Sequence, residues 1–215
     1  MGELRHNPPD VTLTMTADKA ALASPAAGQP PAELERVLVR RALRGDAGAF
    51  RRLFERHGPP VRRFVRDLLG DDTAADEATQ ETFVRAHGRL STLRDRDKVL
   101  PWLFGIARNV VWELMRARRT HGPLALPPAS EEAVDYAPSP EAMLLSREAD
   151  RHLSAALAEL PDERRAALVL RIDHGLGYDQ IAQVMGWPLF KVKNEIHRAR
   201  LTLRVRLTRY MGGVS

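Results

Sequence analysis

From Leu34 onward the apolar positions recur with the period of a helix, and strand-like alternation competes nowhere along the chain. Leu34, Val37 and Leu38 open a first predicted helix that stops at Gly45. Asp46 is placed to cap a second, carrying Phe50, Leu53 and Phe54, which Pro59 and Pro60 are expected to end. Val61, Phe64, Val65, Leu68 and Leu69 then fall at i, i+3, i+4, i+7 and i+8, the spacing of one buried helical face. Gly70, Asp71, Asp72 and Thr73 supply a turn and cap for a fourth helix, with Ala75, Ala78, Thr82, Phe83 and Ala86 inward. After a polar stretch from Ser91 to Lys98 comes the longest amphipathic run, with Leu103, Ile106, Ala107, Val110, Val111, Leu114 and Met115 on one face.

A second helical group follows a change of pattern. Leu145, Ala149, Leu153, Leu157 and Leu160 line one helix, and Pro161 starts the next in the first turn, where proline is tolerated. Ala166 and Leu170 continue that core until Gly175 and Gly177 break the chain. A short helix with Ile181, Ala182 and Met185, a turn at Gly186, Trp187 and Pro188, and a long last helix with Val192, Ile196, Ala199 and Leu203 inward make a helix-turn-helix pattern. The expected fold is therefore all-α: two small helical domains over 32–120 and 141–212, joined by a flexible acidic linker over 121–140. The stretch 1–31 is rich in Ala, Pro, Thr and Gly without periodicity and is expected to be a disordered leader.

Composition narrows the function. The 215 residues include no cysteine, which excludes disulfides, thiolate metal sites and thiol nucleophiles and suits a cytoplasmic protein. No apolar run approaches the ~18 residues that span a membrane, so no membrane insertion is expected. The net charge is +5, and its distribution says more than its sum. Between 101 and 121 the charges are Arg108, Arg116, Arg118 and Arg119 against Glu113 alone. Between 191 and 209 they are Lys191, Lys193, Arg198, Arg200, Arg204, Arg206 and Arg209 against Glu195 alone. Between these stretches, 120–146 carries Glu131, Glu132, Asp135 and Glu141 and no Lys or Arg. A chain that reads basic, acidic, basic suits a polyanionic partner.

Enzyme chemistry finds little to work with. The seven histidines show no i,i+4 pairing and no H-E-x-x-H arrangement, and no P-loop, G-x-S-x-G or G-x-G-x-x-G occurs. Asp71, Asp72, Asp76 and Glu77 form the densest acidic cluster, but carboxylates at a helix N-terminus complement the helix dipole and need no metal. Neither a catalytic residue, a metal ligand nor a cofactor is expected. Lys193, Asn194, His197 and Arg198, in contrast, lie on adjacent turns of the last helix, where they can project together into a major groove. Arg116, Arg118 and Arg119 can hold a nucleic-acid backbone or simply complement the end of their own helix.

Two segments bring a family into view. GDAGAFRRLFERHGPPVRRFVRDLLGDDTAADEATQETFVRAHGRL, followed by PWLFGIARNVVWELMRARR, closely resembles region 2 of sigma-70-family factors of the extracytoplasmic-function group. ELPDERRAALVLRIDHGLGYDQIAQVMGWPLFKVKNEIHRAR resembles region 4 of the same group. The resemblance implies an alternative sigma factor, a non-enzymatic subunit that joins bacterial core RNA polymerase and directs it to promoter DNA, with an anti-sigma factor as a further partner. It implies that Asp76, Glu77, Gln80, Glu81 and Phe83 contact core polymerase. It assigns Leu93, Arg94, Arg108, Asn109, Arg116, Arg118 and Arg119 to the melted −10 element. It assigns Lys191, Lys193, Asn194, Glu195, His197, Arg198 and Arg200 to the −35 element. Phe190 and Lys191 stand where relatives carry a small residue and Thr, Glu195 where Arg is common, and Leu93 where an aromatic is frequent. Read from residues alone, a conventional helix-turn-helix regulator and a single-strand-binding protein remain alternatives. The regulator leaves DEATQETF and the IARN helix unexplained, and sparse aromatics argue against extensive base stacking by a single-strand binder.

Overall fold

The computed structural model describes residues 32–121, 152–153 and 155–212, with side chains described over 34–120, 152–153 and 155–208. The expected leader, the linker and the Leu145 and Ala149 positions lie outside these residues. Every regular element among the described residues is helical: α1 (Ala32–Leu43), α2 (Ala47–Leu69), α3 (Asp72–Arg89), a 3-10 turn (Leu90–Thr92), α4 (Val99–His121), α5 (Asp162–Ile172), α6 (Tyr178–Met185) and α7 (Leu189–Gly212).

Helix α2 corrects one expectation. Pro59 and Pro60 do not end it; a single helix runs through both. Each proline removes an N–H from the ladder, which leaves the carbonyls of Glu55 and Arg56 without their i+4 donors. What outweighs that loss is an unbroken buried stripe, Leu53, His57, Val61, Phe64, Val65 and Leu68, which crosses the prolines without changing face. Asp46 caps the start as expected, accepting from the Ala49 N–H at 3.0 Å. The end is a left-handed Gly70 at φ 67, a conformation that a Cβ would strain. Asp71, within the expected turn, caps α3 by accepting from the Ala74 N–H at 2.9 Å.

The first bundle packs α1, α3 and α4 around α2. Its centre holds Val39, Val61, Phe64, Val65, Phe104 and Val111, all fully buried, with the Phe64 and Phe104 rings edge-to-face at 5.1 Å. His57 Nε2 approaches Glu35 Oε1 to 2.6 Å and ties α1 to α2. Leu34 and Phe54, apolar positions of the pattern that predicted the first two helices, are exposed, so both buried stripes are narrower than that pattern.

The second bundle packs α5, α6 and α7 around Leu168, Leu170, Ile181, Val192 and Ile196. Pro161 precedes α5 as its cap residue rather than opening its first turn. Leu160 is buried as expected, while Leu153 is exposed. Helix α6 starts with the Gln180 side chain accepting from the Gly177 N–H at 2.8 Å and stops at left-handed Gly186, φ 65. The α6–turn–α7 unit is the helix-turn-helix read from the sequence.

The two bundles pack on each other within the unit Pro31–Ser215, through α2 and α4 on one side and α5 and α6 on the other. Two arginines cross this contact to backbone carbonyls, in opposite directions. Arg108 of α4 donates to the Val184 carbonyl in the last turn of α6 at 2.6 Å. Arg165 of α5 donates to the Leu68 carbonyl in the last turn of α2 at 2.8 Å. Each guanidinium thus satisfies a free carbonyl at the negative end of a helix in the other bundle. Between them His174 inserts against Phe104 and Phe64, with ring centroids at 4.7 and 5.9 Å.

Candidate nucleic-acid and protein interfaces

Three surfaces gather the residues singled out by sequence. The first is the outward side of α3. Its inward stripe of Ala75, Ala78, Thr82, Phe83 and Ala86 leaves Glu77 and Gln80 exposed, and neither makes a hydrogen bond or ion pair among the described residues. Asp76 is also exposed but is held by Arg62, 2.5 Å from Nε, and that contact keeps its carboxyl below the usual carboxylate range. Glu81 receives Arg85 at 2.6 Å, and Arg85 reaches on to Glu113 of α4 at 2.8 Å. Phe83 departs from expectation. It is 4% exposed and stacks edge-to-face with Phe54 at 4.8 Å, so it shapes the bundle and presents no surface here. Beside it Val84 is 62% exposed, an apolar point on the outward face that sequence reading passed over.

The second surface is a cleft of about 430 Å³ along α4, lined by Arg85, Arg89, Arg108, Asn109, Trp112 and Arg116, with Glu163 and Met185 contributed from the second bundle. Asn109 is exposed, and its Oδ1 accepts from Arg108 at 2.8 Å. Arg108, on the cleft wall, also reaches across to the Val184 carbonyl, and its partial burial lowers its pKa. Leu93 is 7% exposed and packs into the first bundle, so it does not line a surface in this conformation. Arg94 is exposed on the loop after the 3-10 turn. Arg116 faces the cleft, whereas Arg118 is 3.7 Å from Asp71 and Arg119 is 2.7 Å from Asp162. The Arg119 pair is the more exposed and contributes little, so a phosphate can displace it; the Asp71 side chain is 11% exposed, so the Arg118 pair is partly buried. Trp112, Arg85 and Arg89 were missed in the sequence. Trp112 follows Arg108 by four residues and carries that guanidinium over its ring at 5.7 Å, a spacing the helical pattern did contain.

The third surface is α7. Val192, Ile196, Ala199 and Leu203 are buried, which at 3.6 residues per turn directs Phe190, Asn194, His197 and Leu201 straight outward. All four are exposed. Lys193, Arg200 and Arg204 flank that column on one side and Lys191 and Arg198 on the other. Lys191 lies over the Trp187 ring at 4.2 Å, which draws it back toward the turn. Glu195 is also displaced from its expected place. Its side chain is 16% exposed and is clamped by Arg164 of α5 at 2.7 Å, with Arg198 at 3.2 Å, so it holds α7 to α5 and does not face outward. Its apolar neighbours on the buried face explain this: one residue before Ile196, it points along the α5 seam.

Among the described residues, no cluster of three or more His, Asp or Glu is placed to hold a metal, and no helix is long and apolar enough to cross a membrane.

Residues 53–121 match the family model described as Sigma-70 region 2, and residues 151–203 match Sigma-70, region 4. The RNA polymerase sigma-H factor of Pseudomonas aeruginosa is 30% identical over 175 residues, 78% of this chain and 91% of that protein. The ECF RNA polymerase sigma-E factor of Escherichia coli K12 is 30% identical over 173 residues, 77% and 90% of the two chains. The solved structure of CnrH in complex with the cytosolic domain of CnrY superposes with a TM-score of 0.61 at 27% identity, covering 82% of this chain and 98% of that one. Sigma factor RpoE in complex with anti-sigma factor NepR from Bartonella quintana shares the fold at a TM-score of 0.61 and 22% identity, covering 74% and 96%.

Proposed function

Because the chain belongs to the sigma-70 family of RNA polymerase sigma factors, in its extracytoplasmic-function group, we propose that it binds bacterial core RNA polymerase and directs it to promoters through two separate DNA contacts. The observation that carries this reading is the pairing of two different basic surfaces in one chain. The column on α7 is flanked by cations on both sides, as a helix in the major groove of duplex DNA requires. The α4 cleft combines arginines with an amide and an indole, groups that hold a backbone and meet an unpaired base.

In this reading the domains span 32–120 and 141–212. Glu77, Gln80 and Val84 meet core polymerase, with Asp76 and Glu81 beside them, and Phe83 holds their helix in place. Arg94, Asn109, Arg116, Arg118 and Arg119 take the melted −10 strand, joined by Arg108 once it leaves Val184. Lys193, Asn194, His197, Arg198 and Arg200 take the −35 duplex. The chain performs no bond chemistry of its own, works in the cytoplasm, and is held inactive by an anti-sigma protein.

The test is reconstitution with bacterial core enzyme on a library randomised across both promoter elements. Transcripts sharing two short motifs at fixed spacing, made only with core and this chain together, are expected. Sequence-selective DNA binding that core enzyme neither requires nor strengthens would replace this reading with that of a free-standing regulator.

A further inference from the structure

Phe190 is the most exposed large apolar side chain among the described residues, at 68%. It is the second residue of α7 and heads the outward column of Asn194, His197 and Leu201. An aromatic ring left in water at the start of a basic helix gains nothing for the bundle, whose core is complete beneath it with Val192 and Ile196 fully buried. The N-terminal residues of a helix in the major groove are those that meet base edges. The only apolar group a major groove offers to such a side chain is the C5-methyl of thymine.

We infer that Phe190 is a specificity-determining residue that packs on a thymine methyl in the −35 duplex, beside the base edge met by Asn194. The inference rests on the assignment of α7 to that duplex. Charge supports the placement: Lys193, Arg200 and Arg204 on one flank and Arg198 on the other hold the phosphates of the two groove walls, leaving the uncharged column over the bases. A cation at 190 would hold a phosphate and select nothing; a phenyl ring there excludes water from whatever it covers and rewards a methyl.

The test uses holoenzyme assembled from the full chain and core polymerase, with synthetic promoters in which each −35 thymine in turn is replaced by deoxyuridine. That exchange removes one methyl and leaves base pairing unchanged. At one position wild-type affinity should fall about fourfold, the factor that corresponds to burying a single methyl-sized group. Phe190→Ala should lose a similar factor on the thymine duplex and become indifferent to the exchange. Phe190→Leu, still apolar, should keep part of the response. Because the ring is solvent-exposed, both variants should fold and bind core polymerase as wild type does. Where the preferred base is changed to cytosine, 5-methylcytosine should restore binding to wild type and not to Phe190→Ala. A −35 preference that persists while wild type ignores every thymine-to-uracil exchange overturns the role of Phe190 alone. Absence of any −35 preference in wild type overturns the assignment of α7 as well.

Discussion

Removing either of the crossing arginines should loosen the contact between the two bundles, and by unequal amounts. Each guanidinium makes a charge-assisted hydrogen bond to a backbone carbonyl in the last turn of a helix, an interaction that contributes about 1.5–3 kcal/mol. Arg108 is the less buried of the two and has no carboxylate bonded to its guanidinium, so the lower end applies, about 1.5 kcal/mol, or a tenfold change in the ratio of closed to open chains. The Arg165 side chain is 13% exposed and also pairs with Asp162 at 3.2 Å, which places it near the upper end, about 3 kcal/mol and roughly a hundredfold. The chain has no cysteine, so Ser91→Cys with Gln183→Cys, both exposed positions on opposite bundles, gives a clean donor–acceptor pair. Energy transfer should fall for Arg108→Ala and fall further for Arg165→Ala, with helical content unchanged. Unaltered transfer in both variants, or a larger loss for Arg108→Ala than for Arg165→Ala, would refute the reasoning. Arg108 is committed to Val184 when the bundles touch, so the DNA contact proposed for it requires that they part.

Three further outcomes are expected. Glu77→Lys with Gln80→Lys should abolish binding to core polymerase while circular dichroism stays native, because both side chains are exposed and no described residue depends on them; undiminished binding would reject that surface. Asn109→Ala should change the preferred −10 base, whereas Arg116→Ala should weaken all sequences alike and flatten the salt dependence, read by binding to pre-melted promoters over a salt series. The pH dependence of stability should show two opposed titrations. Burial, aided by Arg63, depresses the His174 ring to about 4, so the folded state resists its protonation and stability falls as pH drops from 6.5 toward 4. Burial and the Asp173 charge, against Arg66 and Arg63, raise the Asp67 carboxyl to about 6, so its contribution is complete below about 3.8 and lost as pH rises through 6. The two largely cancel in the native chain. Asp67→Asn should raise the thermal midpoint at pH 7 and make it fall more steeply between pH 6.5 and 4; a profile identical to wild type would count against the burial of Asp67.

The helical periodicity carried most of the fold because each helix buries a single stripe, and Val61 to Leu69 or Leu103 to Val111 lie where their spacing placed them. Pro59 and Pro60 misled because proline acts on a local hydrogen-bond ladder, while the decision to continue α2 was made by tertiary burial on both sides of them. The site residues divide along the same line. Lys193, Asn194 and His197 are outward because the buried face of α7 dictates it, which spacing alone reveals. Glu195 has its partner 31 residues away on α5 and Arg108 its partner 76 residues away on α6, and no local pattern encodes which distant backbone or side chain will claim a charge. Phe83 and Leu93 belonged to family-matched segments, but matching a motif does not separate residues that touch a partner from those that hold the touching residues in place. Trp112 was legible in principle, one turn after Arg108, because it falls outside the buried stripe of α4.

The most direct measurement is permanganate reactivity of promoter thymines in the presence of this chain, core polymerase, or both. A sigma factor opens DNA, and the proposed assignment has the Asn109 cleft take an extruded or unpaired base. Thymines within the −10 element should become reactive only when both proteins are present, and Asn109→Ala should change which −10 sequences open. Sequence-selective binding of the chain to duplex DNA, with no thymine rendered reactive under any combination, would contradict the account.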